Sequence, residues 1–153
     1  MKIYQTYDYE MVAKLNKPVH DLHSKLYPAY FKKYNYPDAE ELFKHLINVD
    51  SFVFFIVEDN GEARGYAWIE IRNYPENAFN KEFKSVYVQQ ISTTENQRRK
   101  GYGSKLMGKI YDFAKSIDID LIELDYWIEN SEAKEFYKKQ GFKQSREFVY
   151  KQL

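Results

Sequence analysis

The chain has 153 residues, the size of one ordinary domain. Its 23 Lys and Arg balance 23 Asp and Glu, which argues against a dedicated nucleic-acid binder or a polybasic membrane binder. No cysteine is present, so disulfides, a thiol nucleophile and every cysteine-ligated metal site are excluded, and a reducing compartment fits.

The opening segment, Met1 to Glu10, has no apolar stretch after its first lysine, so no secretory signal is expected. The longest apolar run, Phe52 to Val57, is far too short to span a bilayer. The expectation is a soluble, cytoplasmic protein with no membrane partner. No Pro- or Gly-rich linker and no internal repeat divides residues 1–153, which read as a single domain.

Residues 2–6 read as a short strand. Asp8 can cap a helix starting near Tyr9, and that helical region runs to about Tyr34 with breaks or kinks at Pro18 and Pro28. A second helix fits residues 38–48, with Leu42, Phe43, Leu46 and Ile47 as its apolar stripe. Phe52–Glu58 is a continuous β-rich run, typical of a central strand. Asn60-Gly61 is the preferred two-residue hairpin turn. The return strand, Ala63–Arg72, puts Tyr66, Trp68 and Glu70 on one face and Ala67, Ile69 and Ile71 on the other.

After a loop over 73–82, a strand is predicted at about 84–94. Val86 and Val88 share one parity but Ile91 takes the other. One inserted residue near Gln89-Gln90, a β-bulge, repairs the phase; a plain polar edge is the alternative. Gly101-Tyr102-Gly103 opens a helix with Leu106, Ile110, Phe113 and Ile117 at helical spacing. Residues 119–128 alternate as a strand, 131–140 form a short helix stopped by Gly141, and Phe142 to Leu153 reads as a last strand or a pair of strands. The order predicts an α/β (α+β) fold, a central mixed sheet with helices on both faces.

The chemistry concentrates between Tyr87 and Ser104. A strand ends in a polar loop with three consecutive cations, Arg98, Arg99 and Lys100, and two glycines turn the chain into a helix N-terminus. Unpaired N–H groups there bind anions, so the segment reads as a pyrophosphate cradle, or else as a glycine-rich helix start with solvated cations. The Walker frame fails, and the dinucleotide fingerprint fails because Leu106 stands where a third glycine is needed.

Arg98-x-x-Gly101-x-Gly103 resembles the Arg/Gln-x-x-Gly-x-Gly/Ala signature of the GCN5-related N-acetyltransferases (GNAT), which bind acetyl-coenzyme A. Downstream, the segment from Asn130 through Ala133, Tyr137 and Gly141 to Phe142 matches that family's Asn-x-x-Ala-x-x-x-Tyr-x-x-x-Gly-Phe pattern at every fixed position. The two motifs are separated by one helix and one strand, and the resemblance covers essentially the whole chain.

The resemblance implies a single GNAT-like domain whose bulged strand splays from its parallel neighbour, 119–128, and opens a wedge for the pantetheine arm. Backbone groups of Ile91 and Thr93 would pair with pantetheine amides. The amide near Ile91–Ser92 would meet the oxyanion. Amides from Arg98 or Arg99 through Lys100, Gly101, Tyr102, Gly103 and Ser104 would hold the pyrophosphate, with charge from the two arginines. Asn130 would contact the cofactor, cap its helix, or do both. Tyr137 would be the general acid that protonates the thiolate of coenzyme A, or else a core tyrosine. Acetyl transfer would be direct, with no acyl-enzyme and no metal, to the primary amine of a small molecule or peptide.

The sequence departs from the family at the base. Many members carry a carboxylate just before the bulge, where Gln89 and Gln90 stand, and Gln cannot serve. Glu70 is the leading replacement, against an ordinary exposed carboxylate or a water chain to bulk. Tyr27, Tyr30, Trp68, Trp127 and Tyr150 are candidates to line an acceptor pocket. His20, His23 and His45 show no third convergent ligand for a metal. A non-catalytic acetyl-coenzyme A sensor and a nucleic-acid binder using Arg98-Arg99-Lys100 are the competing readings, the latter disfavoured by zero net charge. Many family members dimerise, so a homodimer is among the open oligomeric states.

Overall fold

The computed structural model describes residues 1–94 and 100–153. The expected involvement of Arg98 and Arg99 lies outside the described residues. Strand β1, Lys2–Gln5, is followed by α1, Tyr9–Leu15, α2, Lys17–Leu26, and α3, Tyr36–Leu46. The hairpin of β2, Phe52–Asp59, and β3, Glu62–Tyr74, leads to β4, Phe83–Thr93. Helix α4, Tyr102–Ser116, then precedes β5, Ile122–Glu123, and α5, Ser131–Lys139. The five strands lie in sequence order, antiparallel except for the parallel pair β4–β5.

Local chemistry explains the starts and stops. Asp8 caps α1 by accepting from the Met11 amide at 3.0 Å. The break between α1 and α2 falls at buried Asn16, and Pro18 sits in the first turn of α2, where its missing N–H costs nothing. Asn35 caps α3 through the Asp38 amide, so that helix begins two residues earlier than the apolar spacing suggests, and Leu42 is exposed. Asn60 and Gly61 both take positive φ, 53° and 75°, as the tight hairpin requires.

Alternation on the central strands divides the molecule into two cores. Phe54, Ile56 and Tyr66 pack with Val12 and Leu15 of α1 and Phe43 of α3. On the opposite face Val53, Phe55, Val57, Ala67, Ile69, Val86 and Val88 pack against Leu106, Met107, Ile110 and Ala114 of α4 and Tyr137 of α5. The predicted α/β mixed sheet with helices on both faces is therefore observed, as one α/β domain.

Two expectations fail at the carboxyl end. The strand predicted over 119–128 is paired only at Ile122 and Glu123, which meet Val86 and Tyr87. The strand or strands predicted over 142–153 are absent, and residues 143–153 are exposed. Alternating side chains suit a strand, but hydrogen-bonded neighbours make one. The outer edge of β5 has no neighbour among the described residues, and neither does the tail.

Candidate active site

The sheet splits where β4 passes Val88. Trp68 of β3 pairs with Gln90 and Ile69 pairs with Val88, so Gln89 is the extra residue of a β-bulge. The bulge anticipated near Gln89-Gln90 is thus present, and it restores Ile91 to the α4 side of the sheet. The β4–β5 pairing stops at Tyr87 and Glu123, just before it. From Val88 to Thr93 the β5-side edge of β4 is paired with no strand among the described residues. The Thr94 amide bonds back to the Arg64 carbonyl at 2.9 Å. Alternation then turns the amides of Ile91 and Thr93 toward the open edge.

Ser92 has the other parity. It lies opposite Tyr66 in the β3 register, and its buried hydroxyl donates to the Leu15 carbonyl at 2.8 Å. Both its amide and its side chain are turned away from the cleft, leaving Ile91 and Thr93 as the exposed pairing groups.

Beyond the cleft, Gly101 at φ 82° stands at the N-cap of α4. Gly101 has no side chain with which to cap the helix, and no acidic residue occupies its first turn. Lys105 stands near the positive end of the helix dipole, an arrangement that a bound anion relieves. Lys100 is exposed beside it. Thr94 Oγ1 is buried without a partner among the described residues. A glycine-led helix start with no acid in its first turn, a basic flank and an orphaned hydroxyl fit a diphosphate.

The side chains of the other predicted cradle residues have partners of their own. Tyr102 is buried, and its hydroxyl donates to Asp59 at 2.7 Å, so only its backbone faces the helix start. Ser104 accepts from the Gln140 side chain at 3.2 Å. A Cβ on Gly103 would lie 3.2 Å from the Phe136 ring, so this glycine serves the close crossing of α4 and α5. Asn130 caps α5 by accepting from the Ala133 amide at 3.1 Å.

Tyr137 sits against Tyr126, Phe136 and Phe142, with only 9% of its surface exposed. No described residue hydrogen-bonds its hydroxyl. Burial, with a smaller contribution from Tyr111, raises its pKa well above the ordinary phenol value.

Glu70 lies across from the bulge, and its Oε2 accepts both from Gln89 Nε2 at 2.6 Å and from Arg72 Nε at 3.0 Å. The Arg72 guanidinium lies 3.6 Å from the Tyr87 ring centre, and the Tyr87 hydroxyl donates to Asp125. Gln90 takes a separate network, accepting from Asn16 at 3.0 Å and from the Tyr66 hydroxyl.

Sequence reasoning missed Arg72, Tyr87 and Asp125. Arg72 was within reach, since i, i+2 spacing places it on the Glu70 face. Asn16 and Gln90 lie 74 residues apart, and no local pattern links them.

Of the expected pocket aromatics, Tyr27 and Tyr30 come together with Trp127, with ring centres 4.4 and 5.8 Å apart, and Phe31 joins them. The Tyr27 hydroxyl also accepts from the Glu129 amide at 3.0 Å, which ties the segment after α2 to the loop after β5. Trp68 is instead a wall of the α1–α3 core, stacked on Phe54, and Tyr150 is on the exposed tail. His23 packs on Phe31. No group of three potential ligands for a metal ion occurs among the described residues, and no helix there is long and apolar enough to cross a membrane.

The model of the acetyltransferase (GNAT) family matches residues 16–142. The chain belongs to that family. It is 32% identical over 127 residues to the uncharacterized N-acetyltransferase MJ1207 of Methanocaldococcus jannaschii, a match over 81% of this chain and 54% of that one. The chain thus spans about half the length of this curated relative. The crystallised tetramutant of BH1408 from Bacillus halodurans superposes with a TM-score of 0.93 at 26% identity, over 100% of both chains. The aminoglycoside N-acetyltransferase AAC(6')-Iy, crystallised with coenzyme A, shares the fold with a TM-score of 0.70 at 16% identity, over 99% of this chain and 93% of that one. The GNAT motifs that the sequence resembles therefore sit in a GNAT fold.

Proposed function

We propose that the chain transfers an acetyl group from acetyl-coenzyme A directly to a primary amine of a small molecule or peptide. The observation that carries this reading is the split between β4 and β5, where the bulge at Gln89 leaves the edge of Ile91 and Thr93 unpaired by β5, with Gly101 and the N-terminus of α4 following in the chain. That edge suits the two amides of a pantetheine arm, and the helix start, with Lys100, Arg98 and Arg99, suits its pyrophosphate. Asn130, at the start of α5, is within the motif that would flank the same arm.

The amine nitrogen attacks the thioester carbonyl carbon, and the resulting oxyanion is met by the Ile91 amide. The amine proton passes to Glu70, whose Oε1 is claimed by no described residue, while Gln89 and Arg72 hold Oε2. The carbon–sulfur bond then breaks, and the departing thiolate takes the proton of the Tyr137 hydroxyl. Amide and free thiol are the products. Tyr137 carries its proton at neutral pH, as an acid must, and lies at the position of the motif's tyrosine. The aromatic cluster of Tyr27, Tyr30 and Trp127 roofs the acceptor side. Binding is tested by thermal unfolding: millimolar acetyl-coenzyme A raises the melting temperature because it binds only the folded chain. Unchanged melting contradicts the reading.

A further inference from the structure

Asn16 stands between α1 and α2, directly ahead of Lys17-Pro18, where an asparagine ordinarily caps the helix that follows. Its side chain makes no such cap. The residue is only 6% exposed, and its amide crosses to the sheet instead. Nδ2 donates to the Tyr66 hydroxyl at 3.1 Å and to Gln90 Oε1 at 3.0 Å. The Tyr66 hydroxyl donates to the same Gln90 oxygen. One residue earlier, the Leu15 carbonyl accepts from the buried Ser92 hydroxyl at 2.8 Å.

Gln90 and Ser92 are the two chain neighbours of Ile91. Both are therefore tied, by side chain, to consecutive residues of one helix junction. The ties fall where the sheet holds β4 least. Past the bulge, β3 is its only strand partner among the described residues, since β5 pairs no further than Tyr87. A strand with one neighbour, just beyond a bulge, is free to twist. With the side chains at 90 and 92 fixed on the α1 face, the peptide groups around Ile91 cannot turn, and its amide keeps its direction toward the unpaired edge. A donor stabilises developing charge best when that direction is set in advance.

We propose that Asn16 is a positioning residue for acetyl transfer: acting through Gln90, and together with the Ser92–Leu15 bond, it fixes the Ile91 amide that meets the oxyanion. The proposal rests on the transfer reading above. The same junction opens α2, which ends at Tyr27 of the acceptor-side aromatic cluster. One short segment thus aligns the amine side of the site with the oxyanion donor.

In ¹⁵N-labelled protein without cofactor, Asn16→Ala and Ser92→Ala should each move the amide resonances of Ile91 and Thr93 and leave that of Val86, before the bulge, in place. With acetyl-coenzyme A and a panel of primary amines, both variants should lose about tenfold to a hundredfold in kcat, the cost of a misplaced group, with a smaller rise in KM for acetyl-coenzyme A. Tyr34→Phe removes a different hydrogen bond to α1, at the Ala13 carbonyl, and should keep wild-type Ile91 resonances and turnover. Ile91 resonances unmoved in both alanine variants overturn the proposal. So do an unchanged kcat in both, and a loss in Tyr34→Phe equal to theirs, which would mean that any loosening of α1 suffices. A wild type that releases no thiol, with Ile91 resonances that still follow Asn16, contradicts the transfer reading and upholds the placement.

Discussion

Gln89 donates its amide to Oε2 of Glu70 at 2.6 Å across the β3–β4 pair. The residue that stands where a carboxylate is common thus holds a carboxylate supplied by the neighbouring strand. In Glu70→Gln the shape is kept and the proton acceptor removed. The turnover number should fall about a hundredfold at neutral pH, within the usual range for a positioned base. Acetyl-coenzyme A affinity should hardly change, and activity should recover partly as pH rises and the amine deprotonates unaided. A variant with wild-type turnover across that range assigns the proton to water instead.

Tyr137→Phe removes one oxygen from a ring packed on three aromatics. Cofactor affinity should stay constant while turnover drops on the order of tenfold to a hundredfold, because the hydroxyl matters as charge develops on sulfur. Burial raises the phenol pKa, so an alkaline limb from this group lies above pH 10 rather than near it. Lost stability with normal turnover per folded molecule would make Tyr137 a packing residue alone.

Gly103 and Gly65 should separate cradle from scaffold. A Cβ at Gly65 would lie 2.5 Å from the Ser92 carbonyl oxygen, so Gly65→Ala must push β3 from β4 beside the bulge and should cost about 1–3 kcal/mol in urea unfolding. At Gly103 the neighbour is the Phe136 side chain, which can shift. Gly103→Ala should therefore cost less than Gly65→Ala, and an equal loss would contradict this contrast.

Stability should bend at both ends of the pH scale. Tyr66 and Tyr137 have pKa values raised chiefly by burial. Their neutral forms favour the folded state, so stability is intact below the unfolded phenol value of 10.0 and is lost as pH rises beyond it. The slope there approaches about 1.4 kcal/mol per pH unit for each group. His23 is pushed the other way, lowered by burial and then by the charge of His20. Its contribution is present above 6.5 and is lost as pH falls through the lowered value. With Trp68→Phe as background, Trp127 fluorescence should report that acid loosening, because His23 packs on Phe31 and Phe31 on Trp127. A Trp127 signal flat from pH 7 to 5 would contradict it.

Residue patterns carried most of the frame. Phase slippage between Val88 and Ile91 located the bulge at Gln89, and Asn60-Gly61 located the hairpin. What the patterns did not reveal depends on partners far apart in sequence. Asn16 meets Gln90, and Arg72 lies over the Tyr87 ring, only after the sheet and α1 have assembled. Alternation in 119–128 and in Phe148–Tyr150 signals strand capacity but not whether a neighbouring strand exists. Trp68 and Trp127 are equally plausible pocket rings by type, and only the fold sends one into the core.

The most direct test is the release of free thiol from acetyl-coenzyme A in the presence of a panel of primary amines, with mass spectrometry on the amines. The account predicts amine-dependent thiol release, one acetylated amine per thiol, above the rate without protein. Acetyl-coenzyme A that raises the melting temperature yet yields neither thiol nor acetylated amine from any member of the panel would contradict it and leave a binding domain.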